Sequence, residues 1–166
     1  MTDAFQHIAY ISAGSNIGDT LSNCQNGIAA LTESGNSVLL KQSRFYKTEP
    51  VDYKNQDWFV NAAAKIETML EPFQLLEELR VAEQEAGRVR TVKFGPRILD
   101  LDILLYDNMV MESPDLTIPH SRMHKRRFVL QPLCDIDPGM VHPVLRKNMK
   151  YLLKHLKDDG QRIFLL

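Results

Sequence analysis

One eight-residue stretch limits what this chain can become more than any other: Arg97-Ile98-Leu99-Asp100-Leu101-Asp102-Ile103-Leu104. Side chains alternate along a strand, so Leu99, Leu101 and Ile103 take one face while Asp100 and Asp102 share the other. A strand that is apolar on one side and acidic on the other belongs in a sheet with one covered face and one face open to solvent or ligand. Aspartate is depleted in strands, so two in one strand need a reason. One reason is a half-solvated strand whose outer face happens to be acidic. The other is metal ligation. Two carboxylates on Cα atoms about 6–7 Å apart repel one another unless water or a cation lies between them. Hard oxygens on a rigid strand suit Mg²⁺, particularly where substrate phosphates complete the octahedron.

The flanking charge bears on that choice. Residues 87–97 carry four basic side chains (Arg88, Arg90, Lys93, Arg97) and no acidic one. A second cluster, His120 to Arg127, holds Arg122, Lys125, Arg126 and Arg127 with two histidines. The whole chain has a formal net charge of −1. It therefore has no general positive field for nucleic acid or a membrane surface, and any anion site must be local. Each cluster alone fits a solvated face. Beside paired aspartates, they fit a polyphosphate clamp. No GxxxxGK[ST] loop is present to cradle phosphate, and Gly14 to Gly18 lacks the GxGxxG spacing. GxSxG and HExxH are also absent.

Along the chain, Phe5 to Ala13 is expected to form a strand ending in a Gly14-Ser15-Asn16 turn, and Asp19 to Leu31 a helix with Leu21, Ile28 and Leu31 inward and Gly35 as its stop. Ser37 to Tyr46 and Trp58 to Met69 are expected strands, joined by a polar loop, Lys47 to Asp57. Pro72 opens a second helix with a stripe of Phe73, Leu76, Leu79, Val81 and Ala82, stopping near Gly87. After a loop from Arg88 to Pro96 comes a strand, Ile98 to Tyr106, with Asp107-Asn108 as a hairpin turn into Met109 to Met111. Pro119 to Leu133 starts irregular and becomes helical, and Lys147 to Leu156 forms a last helix. The order β-α-β-β-α-β predicts an α+β, ferredoxin-like antiparallel sheet with helices on one face plus additional C-terminal segments.

At 166 residues the chain is expected to form a single domain, residues 1–166, able to bury a conventional core. Cys24 and Cys134 form no CxxC motif and fit reduced thiols. Residues 1–11 lack the basic-then-apolar pattern of a signal peptide, and no run approaches 18 apolar residues. The expected location is the cytoplasm, with no membrane and no nucleic-acid partner, and a monomer is the expected state.

The segment Lys93-Phe94-Gly95-Pro96-Arg97-Ile98-Leu99-Asp100-Leu101-Asp102-Ile103-Leu104 resembles the signature of the 6-hydroxymethyl-7,8-dihydropterin pyrophosphokinase family of folate biosynthesis. So do Ala9-Tyr10-Ile11 leading into Gly14-Ser15-Asn16, Tyr46 to Pro50, Phe59 to Ala63, Gly87 to Arg90, and Pro119-His120 through Arg126-Arg127-Phe128. The matches run from about Ala9 to Pro138. The resemblance implies a ferredoxin-like fold and transfer of pyrophosphate from ATP to the pterin hydroxymethyl group, giving pterin diphosphate and AMP. It implies that Asp100 and Asp102 hold two Mg²⁺ ions bridging the triphosphate, with Asp100 also beside the pterin. Asn61 would hydrogen-bond the pterin between Phe59 and Phe128, with backbone groups near Thr48 and Val51 completing the pocket. Arg88, Arg97, His120 and Arg126 would contact ATP phosphates, and Arg88, Arg90 and Arg97 would act in catalysis. Glu83, Ile103 and Thr117 match nucleotide-side positions. The chain departs from the family pattern at Phe94, where tryptophan is frequent, at Ser121, at Asp52, where glycine is common, and in a shorter loop between Arg90 and Phe94.

Two other readings remain open at this stage. Paired aspartates on an antiparallel sheet also suit a two-metal nucleotidyl or phosphoryl transferase, and a ferredoxin-like ligand-binding module needs no chemistry at all. Asn61, Phe59 and Phe128 suit a flat heterocycle better than a primer strand, and the low net charge disfavours nucleic acid.

Overall fold

The computed structural model describes residues 5–87, 93–157 and 160–166. In chain order the elements are β1 (His7–Ser15), α1 (Thr20–Ala30), β2 (Ser37–Gln42), β3 (Tyr46–Thr48), β4 (Phe59–Thr68), α2 (Pro72–Glu85), β5 (Asp100–Tyr106), β6 (Met111–Glu112), β7 (Thr117–Ile118), a 3₁₀ turn (Met123–Lys125), α3 (Arg127–Ile136), α4 (Met149–Lys154) and β8 (Ile163–Leu165). The main sheet is antiparallel in the order β5-β1-β4-β3-β8, with β2 also paired to β4. This is the ferredoxin-like α+β arrangement expected, extended by β8 at one edge. Among the described residues no helix is long and apolar enough to cross a membrane.

Strand alternation divides the interior into two layers. Ala9, Ile11 and Ala13 of β1 and Val60, Ala62, Ala64 and Ile66 of β4 join Cys24, Ile28, Leu75 and Leu79 of α1 and α2 in one cluster. Tyr10 and Ala63, pointing the other way, join Val129, Leu130 and Leu133 of α3 and Met149 of α4 in a second. The alanines of β4 keep that strand thin enough for helices to pack closely on both sides. The second layer covers only part of its face, and the site lies on the remainder.

Asp19 caps α1 by accepting from the Ser22 backbone N–H, and Glu71 with Gln74 forms a capping box at α2 behind Pro72. The helix bounds follow the sequence reading, and the buried stripes follow it in part. Ile28, Leu31 and Leu79 are buried as expected and Leu76 and Ala82 pack against the core, but Leu21, Phe73 and Val81 are exposed, and α2 also buries Pro72, Leu75 and Glu83. The expected strand from Ser37 to Tyr46 is two strands. Ser43 interrupts it: its backbone N–H donates to the Ala63 carbonyl at 2.9 Å, and its hydroxyl accepts from the Ala63 N–H at 2.8 Å.

Strand β5 begins at Asp100, and its alternation breaks once. Ile11 pairs with Ile103 but Tyr10 with Leu105, so Leu104 is an extra residue on β5. Leu101, Ile103 and Tyr106 consequently face α1 and α2, while Leu104 and Leu105 both face the α3 layer. Asp107 does turn the chain, with φ 48°, and its carboxylate accepts from the Ile8 N–H at 2.8 Å. The expected hairpin does not follow, because β6 pairs with β7 in a separate two-stranded sheet.

Candidate active site

The floor of the site comes from four adjacent strands. On β1, Ser12 lies opposite Asp102 of β5 and Gly14 opposite Asp100; on its other side Gly14 lies opposite Asn61 of β4, which in turn pairs with Tyr46 two residues before Thr48. Ser12, Gly14, Thr48, Asn61, Asp100 and Asp102 all line one pocket, walled by Val51, Asp52, Gln56, Phe59, Phe94, Arg97, His120, Arg126 and Phe128. Asn61 is buried, and the Thr48 hydroxyl donates to its Oδ1 at 2.6 Å. A Cβ on Gly14 would come within 2.7 Å of Asn61 Nδ2. Glycine at this position is thus what lets an amide project over β1 into the pocket.

The acidic side is electrostatically strained in favour of a cation. Burial, then the neighbouring Asp100 and Glu83 carboxylates, push the Asp102 carboxyl up to about 8, against the opposing pull of Arg126 and Arg97. Arg97 Nη1 donates to Asp100 Oδ2 at 2.8 Å, and its guanidinium lies 5.4 Å from the Phe59 ring centroid. Among the described residues no cluster of three or more His, Cys, Asp or Glu side chains could cage a metal alone. Two carboxylates with open coordination fit Mg²⁺ shared with phosphate oxygens rather than a closed structural metal.

His120 and Arg126 line the same pocket as the carboxylates. His120 is fixed by its N–H, which donates to the Leu104 carbonyl at 2.9 Å; that acceptor belongs to the bulge residue of β5. Burial and then Arg126 lower the His120 imidazole to about 4, so it is neutral at pH 7. Its Nδ1 accepts from the Arg122 N–H at 3.2 Å, which assigns the proton to Nε2 as a donor. Arg126, the N-cap of α3, lies 5.4 Å from the Phe128 centroid and donates from Nη2 to Asp52 Oδ2 at 3.2 Å. Burial, countered in part by Asp52, holds the Arg126 guanidinium below its ordinary value.

Three loops meet at Asn16, a residue read from the sequence only as part of a turn. It is buried; its N–H donates to the Arg97 carbonyl at 3.0 Å and its Oδ1 accepts from the Arg97 N–H at 2.9 Å. Its Nδ2 donates to Gln56 Oε1 and to the Asp57 carbonyl, both at 2.9 Å. Gln56 Nε2 then donates to the Phe94 carbonyl at 2.9 Å. Phe94 sits at φ 58°, a left-handed backbone that costs a bulky residue about 1–2 kcal/mol. Arg122 stands 4.7 Å over its ring.

Of the residues expected from the sequence, Thr48, Val51, Phe59, Asn61, Arg97, Asp100, Asp102, His120, Arg126 and Phe128 converge on this pocket. Three others do not line it. Glu83 is buried on α2, where its Oε2 accepts from the Leu101 N–H at 2.9 Å, so it acts on Asp102 from behind the strand. The Ile103 side chain is in the helix-side core, leaving only its main chain for a nucleotide. Thr117 lies on β7, paired with Glu112. Arg88 and Arg90 lie outside the described residues. The sequence reading missed Gln56 and Asn16, whose only signal was a polar amide at the end of a strand or loop.

Residues 10–138 match the family model described as 7,8-dihydro-6-hydroxymethylpterin-pyrophosphokinase. The chain is 45% identical over 135 residues to the 2-amino-4-hydroxy-6-hydroxymethyldihydropteridine pyrophosphokinase of Haemophilus influenzae, covering 81% of this chain and 84% of that protein. It is 43% identical over 157 residues to the folic acid synthesis protein fol1 of Schizosaccharomyces pombe, covering 95% of this chain. The aligned part is only 21% of the length of that fission-yeast protein. Among solved structures, the Plasmodium falciparum HPPK-DHPS with pterin and p-hydroxybenzoate superposes with a TM-score of 0.72 at 17% identity, over 89% of this chain and 42% of that one. At that identity the likeness bears on the fold alone.

Proposed function

The chain belongs to the 7,8-dihydro-6-hydroxymethylpterin-pyrophosphokinase family, and on that premise we propose that it transfers pyrophosphate from ATP to the hydroxymethyl group of 6-hydroxymethyl-7,8-dihydropterin, a step of folate synthesis. One observation carries the reading. The amide of Asn61 and the rings of Phe59 and Phe128 line the same pocket as Asp100 and Asp102. A flat heterocycle and a metal-bound polyphosphate can therefore meet there.

In this reaction the hydroxymethyl oxygen forms a bond to the β-phosphorus and gives up its proton to solvent, the bond from that phosphorus to the α,β-bridging oxygen breaks, and AMP leaves with that oxygen. Asp100 and Asp102 would hold two Mg²⁺ ions, which would supply charge neutralisation to the phosphates. Asn61, anchored by Thr48 and accommodated by Gly14, orients the pterin edge, while Phe59 and Phe128 stack on its faces and exclude water. Val51 closes the same pocket. Arg97 and Arg126, together with the Nε2 proton of His120, follow charge on the phosphates as it spreads. By resemblance, Arg88 is assigned to the phosphates, Arg88 and Arg90 to catalysis, and Ile103 and Thr117 to the nucleoside side, while Glu83, whose resemblance is also to a nucleotide-side position, supports Asp102 from behind the strand. An alcohol is a weak nucleophile, so alignment and charge neutralisation supply most of the acceleration; no side chain is assigned as base. We take residues 1–166 as one monomeric catalytic domain acting in the cytoplasm.

The test is a nucleotide assay with ATP, Mg²⁺ and 6-hydroxymethyl-7,8-dihydropterin that resolves AMP from ADP. AMP formed only in the presence of pterin is the expected result. ADP would make the protein a simple phosphokinase, and no turnover by a folded, Mg²⁺-binding protein would favour another two-metal transferase.

A further inference from the structure

The ion pairs around the β3–β4 loop assign a role to Asp52. Its Oδ2 lies 3.2 Å from Arg126 Nη2 and 3.8 Å from Arg122 Nη1. Arg126 is the more enclosed partner, its side chain 15% exposed, and it lines the pocket together with Asp52 itself. Arg97, the remaining pocket arginine among the described residues, holds Asp100, a residue already required at the metal site. Asp52 has no such duty. Its carboxylate meets the guanidinium that a phosphate oxygen would meet.

We propose that Asp52 is an intramolecular competitor for the phosphate-binding arginines, a residue that sets the affinity threshold for phosphate ligands at this site. The inference rests on the proposed use of Arg126 as a phosphate contact. Two anions on one partly buried guanidinium repel one another, so a phosphate group binds Arg126 more weakly while Asp52 remains on it and gains by its departure. A single small anion exchanges one charge pair for another and still loses its translational freedom, so it gains little. A metal-bound polyphosphate replaces that pair while also gaining Asp100 and Asp102 through the metal. Any ligand that must displace Asp52 is weakened by the same factor, and a ligand that does not touch Arg126 is not weakened at all.

The experiment is calorimetric titration of wild type, Asp52→Asn and Asp52→Glu with inorganic tripolyphosphate in Mg²⁺, with adenosine as a control ligand. Asp52→Asn is expected to bind tripolyphosphate roughly threefold to tenfold tighter, which is the range for an ion pair of this exposure. The gain should shrink in high salt, where a half-exposed pair is screened. Asp52→Glu should stay near wild type, and adenosine affinity should not change. Equal or weaker tripolyphosphate binding by a folded Asp52→Asn variant overturns the proposal while leaving the proposed reaction standing. Absence of tripolyphosphate binding by all three proteins overturns both.

Discussion

The sequence Asp-x-Asp occurs twice in this chain, as Asp100-Leu101-Asp102 and as Asp135-Ile136-Asp137, and the two copies have opposite electrostatics. At the end of α3, Asp135 accepts from Arg44 Nη2 and from the Tyr46 hydroxyl, both at 2.7 Å. Asp137 accepts from Lys65 Nζ at 2.7 Å and from the Tyr10 hydroxyl at 2.5 Å. Burial works against both charges, but these donors outweigh it, and both carboxyls are held below the ordinary carboxylate range. On β5, burial and like charge win instead, and Asp102 is pushed the other way. The first pair is complete within the protein, tying α3 to the sheet. In the second, Arg97 pairs with Asp100 at 2.8 Å, while Asp102 is left beside the like charges of Asp100 and Glu83. What separates a structural Asp-x-Asp from a functional one is the supply of donors, and that supply depends on the element: a helix terminus beside lysine, arginine and tyrosine, against a strand facing another carboxylate.

The sharpest way to break this comparison is to neutralise one member of each pair. Asp102→Asn should lower the rate of AMP formation by roughly 10³-fold or more, while raising the melting temperature in the absence of Mg²⁺. The sign follows from linkage. A carboxyl whose folded value is raised contributes stability below its unfolded range and loses it as pH rises through about 8. At neutral pH the fold keeps this carboxyl protonated although the unfolded chain has lost the proton, so folding must take one up at a cost that Asn avoids, and each kcal/mol relieved adds about 2–4 °C. A variant that lost stability together with activity would place Asp102 in the structural class.

Next in size is the pterin side. Asn61→Ala, and separately Gly14→Ala, should raise the KM for pterin about 10–100-fold, as expected for a misplaced buried amide, with a smaller change in KM for ATP. Equal effects on both substrates would mean that the pocket had collapsed as a whole. Mg²⁺ affinity should then depend on pH. Because Asp102 must shed its proton to ligate, affinity should rise about tenfold per pH unit up to about 8 and level off above it. Titrations at several pH values measure this, and Asp102→Asn should flatten the slope. The smallest effect belongs to the completed pair. Asp135→Ala should cost about 1–3 kcal/mol of stability, read as a lower melting temperature, with catalysis by the folded protein unchanged. The contribution of Asp135 is present above the carboxylate range and is lost on acidification, so wild type and Asp135→Ala should converge in stability as the pH falls.

The parts of the molecule that could be read from sequence were those written in local periodicity. The βαββαβ order, the helix starts at Asp19 and Pro72, and the face shared by Asp100 and Asp102 all follow from local pattern alone. Those that could not be read depend on which neighbour arrives. Val81 and Phe73 fit an apolar stripe by spacing, yet α2 is rotated so that Leu75 and Glu83 face the sheet, because Glu83 accepts from the Leu101 N–H at 2.9 Å. The strand from Ser37 to Tyr46 breaks at Ser43 because a hydroxyl takes the place of a ladder carbonyl, which periodicity does not register. β8 was missed as a three-residue strand, too short for a pattern to emerge. Much of the site was legible through resemblance, but the junction at Asn16 joins residues 40 and 81 positions away and has no local signature.

The extra residue at Leu104 sets limits on how such a chain can change in length. It reverses side-chain parity between Ile103 and Leu105, and its carbonyl, left out of the ladder, is where the His120 N–H attaches. Losing Leu104 would restore a regular strand in which Leu105 still meets Tyr10 and Tyr106 still meets Ala9, at the cost of the His120 anchor, whereas one further residue here would shift both by one position. Tyr106, whose hydroxyl now donates to the Leu70 carbonyl at 2.6 Å, would by that insertion be sent to the wrong layer. Gains and losses of residues are thus not interchangeable along this segment. They can accumulate in the loops on either side, whereas within β5 a single inserted residue acts like a frameshift in three dimensions, leaving composition almost intact while misdirecting every side chain downstream.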